Sequence, residues 1–107
     1  MSGGAAFETL FHAEFEDDLR RIPVNVRERI LAAVEDRLGA APDQYGQRLR
    51  QSLHGYWKLR VGDYRVVYEI VRRTVRVYGV MHRRDVYTRI EGRTARSWPQ
   101  RRRLPCG

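Results

Sequence analysis

The sequence has little of the residue types and segments that define disulfide-bonded, secreted and membrane proteins. It contains one cysteine, Cys106, in 107 residues, and a single cysteine forms neither an intramolecular disulfide nor a zinc cluster. Residues 1–6 lack the basic and apolar regions of a secretory signal. No apolar run approaches the roughly 20 residues that a membrane-spanning helix requires. We therefore expect a cytoplasmic protein that does not associate with a membrane.

The motifs that bind common cofactors and metals are also missing. The chain has no P-loop, Rossmann glycine motif, nucleophile elbow or metal-ligand cluster. It has no helix-turn-helix pattern, and its predicted helices are not basic enough to read a DNA groove. We therefore expect neither a cofactor nor a metal.

Arginine, in contrast, is abundant. Lys58 is the only lysine among 21 basic residues, and the formal net charge is +8. The guanidinium group is planar and weakly hydrated, which suits it to phosphate. A charge of this size favours an acidic partner, either nucleic acid or an acidic protein. An ordinary solvated basic surface is the alternative.

The apolar pattern in the first half of the chain predicts a strand followed by two helices. Residues 6–12 are rich in strand formers, and residues 13–22 repeat apolar side chains at helical spacing. A second amphipathic helix over 23–38 begins with Pro23 in its first turn or with an Asn25–Glu28 capping pair. Two such helices joined by a short link form a helical hairpin.

The second half of the chain predicts three consecutive antiparallel strands. Apolar and polar side chains alternate over 56–61, 64–71 and 75–82, and turns at 62–63 and 72–74 connect them. The face that we expect the helices to cover carries Trp57, Leu59, Val61, Tyr64, Val66, Tyr68, Ile70, Val75, Val77 and Met81. The opposite, open face carries Tyr56, Lys58, Arg60, Arg65, Val67, Glu69, Arg76, Tyr78, Val80 and His82.

The expected architecture is α+β with the order β-α-α-β-β-β, in which an N-terminal strand and a helical hairpin pack on one face of a small, mainly antiparallel sheet. The first strand is expected to join this sheet at a position that the sequence does not define. Residues 40–53 are expected to be a loop whose leucines tuck onto the core, and residues 83–90 a short closing segment with two apolar anchors. A single domain then spans 1–90, and residues 91–107 form an arginine-rich tail.

The open face is unusual because it gathers cations and aromatic rings. Like charges on adjacent strands destabilise a sheet unless something anionic compensates, and Glu69 is the only carboxylate expected there. Aromatic rings between cations favour RNA over duplex DNA, because bases stack on the rings while Arg and Lys hold phosphates. RNA also carries its own nucleophile, the 2′-OH, so a protein need only move protons and stabilise the phosphorane. A set of ordinary exposed polar residues is the alternative.

Three segments of the sequence resemble the signature of a known family. Residues 53–68, LHGYWKLRVGDYRVVY, resemble the central signature of the RelE toxins of bacterial and archaeal toxin–antitoxin modules. Residues 82–87, HRRDVY, resemble the closing motif of that family, and residues 18–23, DLRRIP, are similar to its helical hairpin. The resemblance covers residues 6–90, and on this basis the chain is identified as a member of the RelE/ParE superfamily.

The resemblance implies a ribosome-dependent mRNA endoribonuclease that inhibits translation without a metal and is held inactive by a cognate antitoxin. The implied partners are an acidic antitoxin and ribosome-bound mRNA and rRNA, while operator DNA is reached only through the antitoxin. We expect the antitoxin to be partly disordered and to lay an amphipathic helix or strand over the basic sheet.

The resemblance also implies residue roles. Lys58, Arg65 and Tyr87 match catalytic positions, and Arg60 matches a position that binds the substrate backbone. The expected catalytic set is Lys58, Arg65, His82, Arg83 and Tyr87, and the expected RNA-binding set is Tyr56, Arg60, Tyr78 and Arg84.

Tyr56 departs from the family pattern, because well-studied members carry a second lysine there, and the identity of the general base therefore stays open. Either Lys58 or His82 takes the 2′-OH proton. The two arginines of the catalytic set stabilise the phosphorane. Tyr87 or His82 assists the leaving group or stacks on a base.

Two other functions are compatible with the same fold. One is a DNA gyrase inhibitor of the ParE type, which binds a protein without catalysis. The other is a non-catalytic partner that co-represses its operon with an antitoxin. The fold alone separates none of these, and the basic, aromatic open face favours the nuclease.

Overall fold

The computed structural model describes residues 7–94 and the backbone of residues 100 and 101, and its elements confirm the expected α+β class. In chain order they are β1 (Glu8–His12), α1 (Phe15–Arg20), α2 (Val24–Ala33) with a following π-helical turn (Val34–Leu38), α3 (Pro42–Tyr45), β2 (Gln47–Arg48), a 3₁₀ turn (Gln51–Leu53), β3 (Trp57–Val61), β4 (Tyr64–Val71), β5 (Thr74–His82), a second 3₁₀ turn (Arg83–Asp85), α4 (Val86–Thr94) and β6 (Gln100–Arg101). Within the described part of the chain, no helix is long and apolar enough to cross a membrane.

The strands form one mixed sheet in the order β2-β3-β4-β5-β1-β6. The two expected antiparallel hairpins, β3–β4 and β4–β5, are present. Gly62 has a φ of +61°, which suits the first position of a two-residue hairpin turn. The second turn is one residue shorter than predicted, because Thr74 already belongs to β5. β1 lies parallel to β5 and thereby takes the position that the sequence did not define.

The helices α1 and α2 pack on one face of the sheet, as their apolar periodicity predicts. Their core, called the helical core below, contains Phe11, Phe15, Leu19, Ile22, Ile30, Ala33, Val34, Leu38, Leu59, Val61, Val66, Tyr68, Val75, Val77 and Val80. Pro23 is the N-cap residue of α2, and no side chain caps that helix, so the predicted Asn25–Glu28 cap does not form. The burial of the apolar stripe therefore holds the hairpin in place.

The opposite face of the sheet is partly covered, which corrects the prediction of an open face. α4 and the 49–53 segment lie over it and form a second core of Leu49, Leu53, Val67, Tyr78, Met81, Val86 and Ile90. The closing anchors Val86 and Ile90 are buried as expected. The predicted tail, however, starts too early, because α4 continues to Thr94 and β6 follows. A nine-residue helix with so short an apolar stripe carries too little periodicity to be recognised.

A bulge in β5 reverses the predicted orientation of the residues that follow it. Successive β4 residues pair with β5 at 67–79 and 68–77, so Tyr78 is an extra residue in β5. An extra residue shifts the two-residue alternation by one position. Val80 consequently packs in the helical core and Met81 in the second core, the reverse of the prediction.

The 40–53 segment contains more structure than the predicted loop, and Tyr68 fixes it to the sheet. The Tyr68 hydroxyl donates a hydrogen bond to the Pro42 carbonyl at 2.6 Å, and burial raises the pKa of Tyr68 well above its usual range. Gly46 lies against the same hydroxyl, and a Cβ at this position would collide with it. The two leucines of the segment are buried as expected, but in the second core.

A buried ion pair joins α1, β5 and α4. Asp18 Oδ2 lies 2.6 Å from Arg93 Nη1, and the two residues are 3% and 5% exposed. β1 pairs with β5 only as far as Val77, so backbone groups of β5 beyond that point lack a strand partner on this side. Asp18 accepts the Val80 N–H at 3.1 Å, and Arg93 donates to the Tyr78 carbonyl at 3.0 Å. The ion pair thus satisfies the hydrogen-bonding groups of β5 that β1 leaves unpaired.

Gly79 and two further charged residues complete this contact. A Cβ at Gly79 would overlap the Arg93 guanidinium and lie 2.7 Å from Asp18 Oδ2, so the ion pair requires glycine here. Arg89 lies 3.4 Å from Asp18, and Glu14 lies 3.4 Å from Arg93. Asp18 was expected only as part of the helical hairpin and Arg93 as part of the arginine-rich tail, because no local pattern links residues so far apart in the chain.

The ion pair can be tested by removing one charge. Asp18→Asn leaves the Arg93 guanidinium buried opposite a neutral group, and we expect the free energy of unfolding in urea to fall by about 3 kcal/mol. Asp17→Asn is the matched control, because Asp17 forms an exposed ion pair with Arg20 at 2.7 Å that is worth less than about 1 kcal/mol. Equal losses in the two variants would contradict the structural role of Asp18.

Candidate active site

A basic cavity of about 290 Å³ opens at the edge of the second core. It is lined by Leu49, Lys58, Arg65, Arg83, Arg84, Val86 and Tyr87. Lys58 comes from β3, Arg65 from β4, the other two arginines from the 3₁₀ turn before α4, and Tyr87 from the first turn of α4. Four of the five predicted catalytic residues therefore line one cavity, together with Arg84 of the predicted RNA-binding set.

Two arginines face each other beside this cavity. Arg60 and Arg65 are direct cross-strand partners on β3 and β4. Arg65 Nη1 donates to two backbone carbonyls of the β3–β4 hairpin, each at 3.0 Å, which holds its guanidinium in place. Burial, and then the charges of Arg60 and Arg83, lower the pKa of Arg65 from its ordinary value. The site therefore holds repelling charges that a bound anion would compensate.

Tyr87 connects the cavity to the 49–53 segment. Its hydroxyl oxygen accepts the Arg50 N–H at 3.0 Å, and the nearby Ser52 hydroxyl donates to Glu91 of α4. Because the amide donates to the Tyr87 oxygen, the hydroxyl hydrogen remains available to a group in the cavity. The 49–53 segment and α4 thus orient the one phenol in the lining.

His82 lies outside the basic cavity. Its ring packs edge-on against Tyr64, with ring centroids 6.0 Å apart, and it lines a separate cavity of about 170 Å³ beside α1. The bulge in β5 explains this position, since it turns the last residues of the strand to the other face. His82 Nδ1 accepts the Arg84 N–H at 3.2 Å and so caps the 3₁₀ turn that carries Arg83 and Arg84.

The predicted RNA-binding tyrosines belong to the packing of the second core. Tyr78 is 6% exposed, and its ring meets Tyr56 edge-on at 5.2 Å. The Tyr78 hydroxyl donates to Glu69 at 3.1 Å, and burial together with this carboxylate raises the pKa of Tyr78 well above its usual range. Glu69 also pairs with Arg76 at 3.8 Å. Tyr78 therefore offers no free ring face on which a base could stack.

The 40–53 segment contributes to the site, although the sequence predicted only a loop there. Leu49 forms a wall of the cavity, and the Arg50 N–H orients Tyr87. Leu49 and Leu53 were expected to tuck onto the core, but the sequence did not indicate the face of the sheet against which they pack. Arg84 lies on the rim of the cavity, exposed as expected for a residue that meets a ligand.

The lining combines four cations with apolar walls and one phenol. No carboxylate and no histidine belongs to it within the described residues. Apolar walls such as Leu49 and Val86 lower the local dielectric constant and strengthen the attraction of the cations for an anion. The cavity can therefore bind a phosphate group, stabilise additional negative charge on it and exchange protons through Lys58 and Tyr87.

The like-charge pair predicts that a site residue opposes folding. Arg60→Gln removes the repulsion of Arg65, and we expect the free energy of unfolding to rise by about 0.5 kcal/mol at low salt and the gain to shrink at high salt. Urea unfolding at two salt concentrations measures this. Arg72→Gln is the control, since Arg72 lies exposed in the β4–β5 turn, where no pairing with another arginine is observed. A destabilised Arg60→Gln variant would show that the repulsion is negligible.

The sequence of this chain is similar to those of known toxins. The sequence model of the family described as ParE toxin of type II toxin-antitoxin system, parDE, matches residues 10–87. Toxin RelE3 of Methanocaldococcus jannaschii is 29% identical over 83 residues, which cover 75% of this chain and 94% of that protein.

Solved structures show the same fold. The toxin–antitoxin complex RelBE2 of Mycobacterium tuberculosis includes a chain with a TM-score of 0.68 and 28% identity, covering 73% of this chain and 99% of that one. The RelB–RelE complex of Methanococcus jannaschii includes one with a TM-score of 0.59 and 26% identity, covering 74% and 95%. The chain therefore belongs to the ParE toxin family of type II toxin–antitoxin systems, within the RelE/ParE superfamily that its sequence resembles.

Proposed function

We propose that this toxin is an endoribonuclease that cleaves mRNA on the ribosome. The observation that supports this most strongly is the basic cavity, where Lys58, Arg65, Arg83 and Tyr87 surround a space of about 290 Å³. A phosphodiester fits such a site because its charge matches the guanidinium groups, which bind phosphate oxygens through two hydrogen bonds.

Cleavage in this cavity follows from the chemistry of RNA. The amine of Lys58, in its neutral form, accepts the proton of the 2′-OH and becomes an ammonium group, while the 2′-oxygen attacks the adjacent phosphorus. Arg65 and Arg83 stabilise the doubly charged phosphorane, and Tyr87 gives its hydroxyl proton to the leaving 5′-oxygen. The P–O5′ bond breaks, leaving a 2′,3′-cyclic phosphate and a 5′-OH. His82 takes no part in proton transfer, because it lies on the other face of the sheet.

The family and the charge of the chain support the proposed partners. The similar structures from M. tuberculosis and M. jannaschii are complexes of a toxin with an antitoxin. We propose that a cognate acidic antitoxin binds this chain and neutralises its net charge of +8. Ribosome-bound mRNA is the proposed substrate, and rRNA is a proposed partner that attracts the positively charged chain to the ribosome.

The nuclease is tested by mapping mRNA ends after induction of the toxin. Primer extension on translating ribosomes is expected to show new 5′ ends in codon register. Lys58→Ala with Arg65→Ala removes the proton acceptor and one phosphorane contact, and we expect cleavage to fall about a thousandfold. Arg72→Gln, in the exposed β4–β5 turn, should cleave as the wild type does. Wild-type induction without new ends would refute the proposal.

One observation favours a second function. The matching family model is that of the ParE toxins, and a ParE-type activity would be inhibition of DNA gyrase. A supercoiling assay with purified gyrase separates the two functions, because the nuclease leaves supercoiling unchanged. If neither supercoiling nor mRNA is affected while the chain still binds its antitoxin, the remaining function is co-repression.

The cap formed by His82 predicts different outcomes for two substitutions. His82→Asn retains an acceptor for the Arg84 N–H, so we expect cleavage within about twofold of the wild type. His82→Ala loses the cap and loosens the turn that carries Arg83, which should lower kcat about fivefold. If His82 instead transferred a proton, both variants would lose about a hundredfold or more. Single-turnover cleavage on programmed ribosomes distinguishes these results.

A further inference from the structure

We propose that a second groove, between α2 and β3, binds the sugar–phosphate backbone of the RNA strand where it continues beyond the basic cavity. This inference rests on the proposed function and adds a binding site to it. The groove, called the α2 groove below, has a volume of about 440 Å³, and Arg29, Arg37 and Arg60 line it. It lies on the helical side of the sheet, whereas the basic cavity lies on the side of α4.

The charge of the α2 groove suits an anion. Arg29 of α2 and Arg37 of the following π-helical turn both line the groove, so they lie on the same side of this helical segment. Asp36 is the one carboxylate in the lining, which leaves an excess of positive charge. Within residues 7–94, none of the three arginines forms an ion pair, whereas Arg20, Arg76, Arg89 and Arg93 all do.

The β3–β4 hairpin connects the α2 groove to the basic cavity. Arg60 lines the groove and is the cross-strand partner of Arg65, which lines the cavity. Gly62, at the tip of the hairpin, also lines the groove and has no side chain to block the passage between the two sites. An RNA strand bound in the cavity can therefore continue over the Arg60–Arg65 pair toward Arg29.

An exposed aromatic ring beside the groove is consistent with a single-stranded ligand. Tyr45 is 55% exposed, and the Arg37 guanidinium lies 5.8 Å from the centre of its ring. Nucleic-acid sites for single strands combine cations that follow the backbone with aromatic rings on which bases stack. Tyr45 offers such a ring next to Arg37.

The composition of the groove favours RNA over an acidic peptide. A helix or strand that docks in a groove needs apolar pockets for its anchor side chains. The apolar part of this lining consists of Ala32, Ala33 and Val61, which are too small to form a deep pocket. A sugar–phosphate backbone requires cations and little apolar area.

The test measures binding of the full chain to single-stranded 2′-O-methyl RNA, which lacks the attacking hydroxyl and cannot be cleaved. Fluorescence anisotropy is recorded with oligonucleotides of about four and about twelve nucleotides, a range typical of single-strand sites. The double variant Arg29→Gln with Arg37→Gln is expected to bind the longer oligonucleotide about tenfold more weakly. The slope of the logarithm of its binding constant against the logarithm of the salt concentration should fall in magnitude by about 1.4. The shorter oligonucleotide should bind as it does to the wild type.

Two control variants make the result specific. The double variant Arg72→Gln with Arg73→Gln removes the same total charge from the exposed β4–β5 turn. Its affinities for the short and the long oligonucleotide should stay within about twofold of the wild-type values. Asp36→Asn removes from the groove the carboxylate that repels phosphate and should increase the affinity for the longer oligonucleotide. Circular dichroism confirms that each variant is folded.

Several outcomes would overturn the proposal. The groove is not an RNA site if both double variants weaken binding equally, if oligonucleotide length makes no difference, or if the wild type binds neither oligonucleotide. If the Arg29 and Arg37 substitutions reduce only antitoxin binding, an acidic protein occupies the groove. Because the oligonucleotides are not cleaved, these results are independent of the primer-extension test, which alone decides the nuclease activity.

Discussion

The contact between Asp18 and Arg93 is the constraint on which the rest of the structure depends, because it completes the sheet where β1 ends. Without it, the Tyr78 carbonyl and the Val80 N–H would be buried and unsatisfied, and each would cost about 1–3 kcal/mol. The carboxylate and the guanidinium supply the missing acceptor and donor at 3.1 and 3.0 Å. Burying two charges is itself unfavourable, and the hydrogen bonds to the strand explain why a charged pair rather than an apolar one occupies this position.

The same contact determines where the site lies. Arg93 fixes the C-terminal end of α4, while Val86 and Ile90 fix the rest of the helix to the second core. α4 covers only part of the sheet. Lys58 and Arg65 lie where the second core under α4 meets solvent. Cations at such a border are partly desolvated and still accessible, so they attract an anion more strongly than cations on a fully exposed sheet.

The sequence predicted the strands more completely than the packing of other elements around them. Alternation determines the face of each strand residue, and it was correct until Tyr78, where one extra residue inverted every later assignment. Gly79 was the local signal, since glycine within a strand often marks a bulge. Arg93 meets its partner across 75 positions, and no periodicity relates such residues. The resemblance located Lys58, Arg65, Arg83 and Tyr87, whereas the position of His82 depended on the bulge.

The repulsion between Arg60 and Arg65 disfavours folding and is relieved by a bound anion. This supports the proposed catalytic role over a role in RNA binding alone. Arg65 stays close to Arg60 because it is the cross-strand partner of Arg60 and two backbone carbonyls accept hydrogen bonds from its guanidinium. The repulsion is therefore present in the free protein and is relieved as negative charge enters the cavity. A phosphorane carries more negative charge than the diester from which it forms, so the relief is larger in the transition state than in the ground state. Stronger interaction with the transition state is the condition for rate acceleration, and in the proposed nuclease the cations of the cavity, which has no carboxylate in its described lining, would supply that interaction.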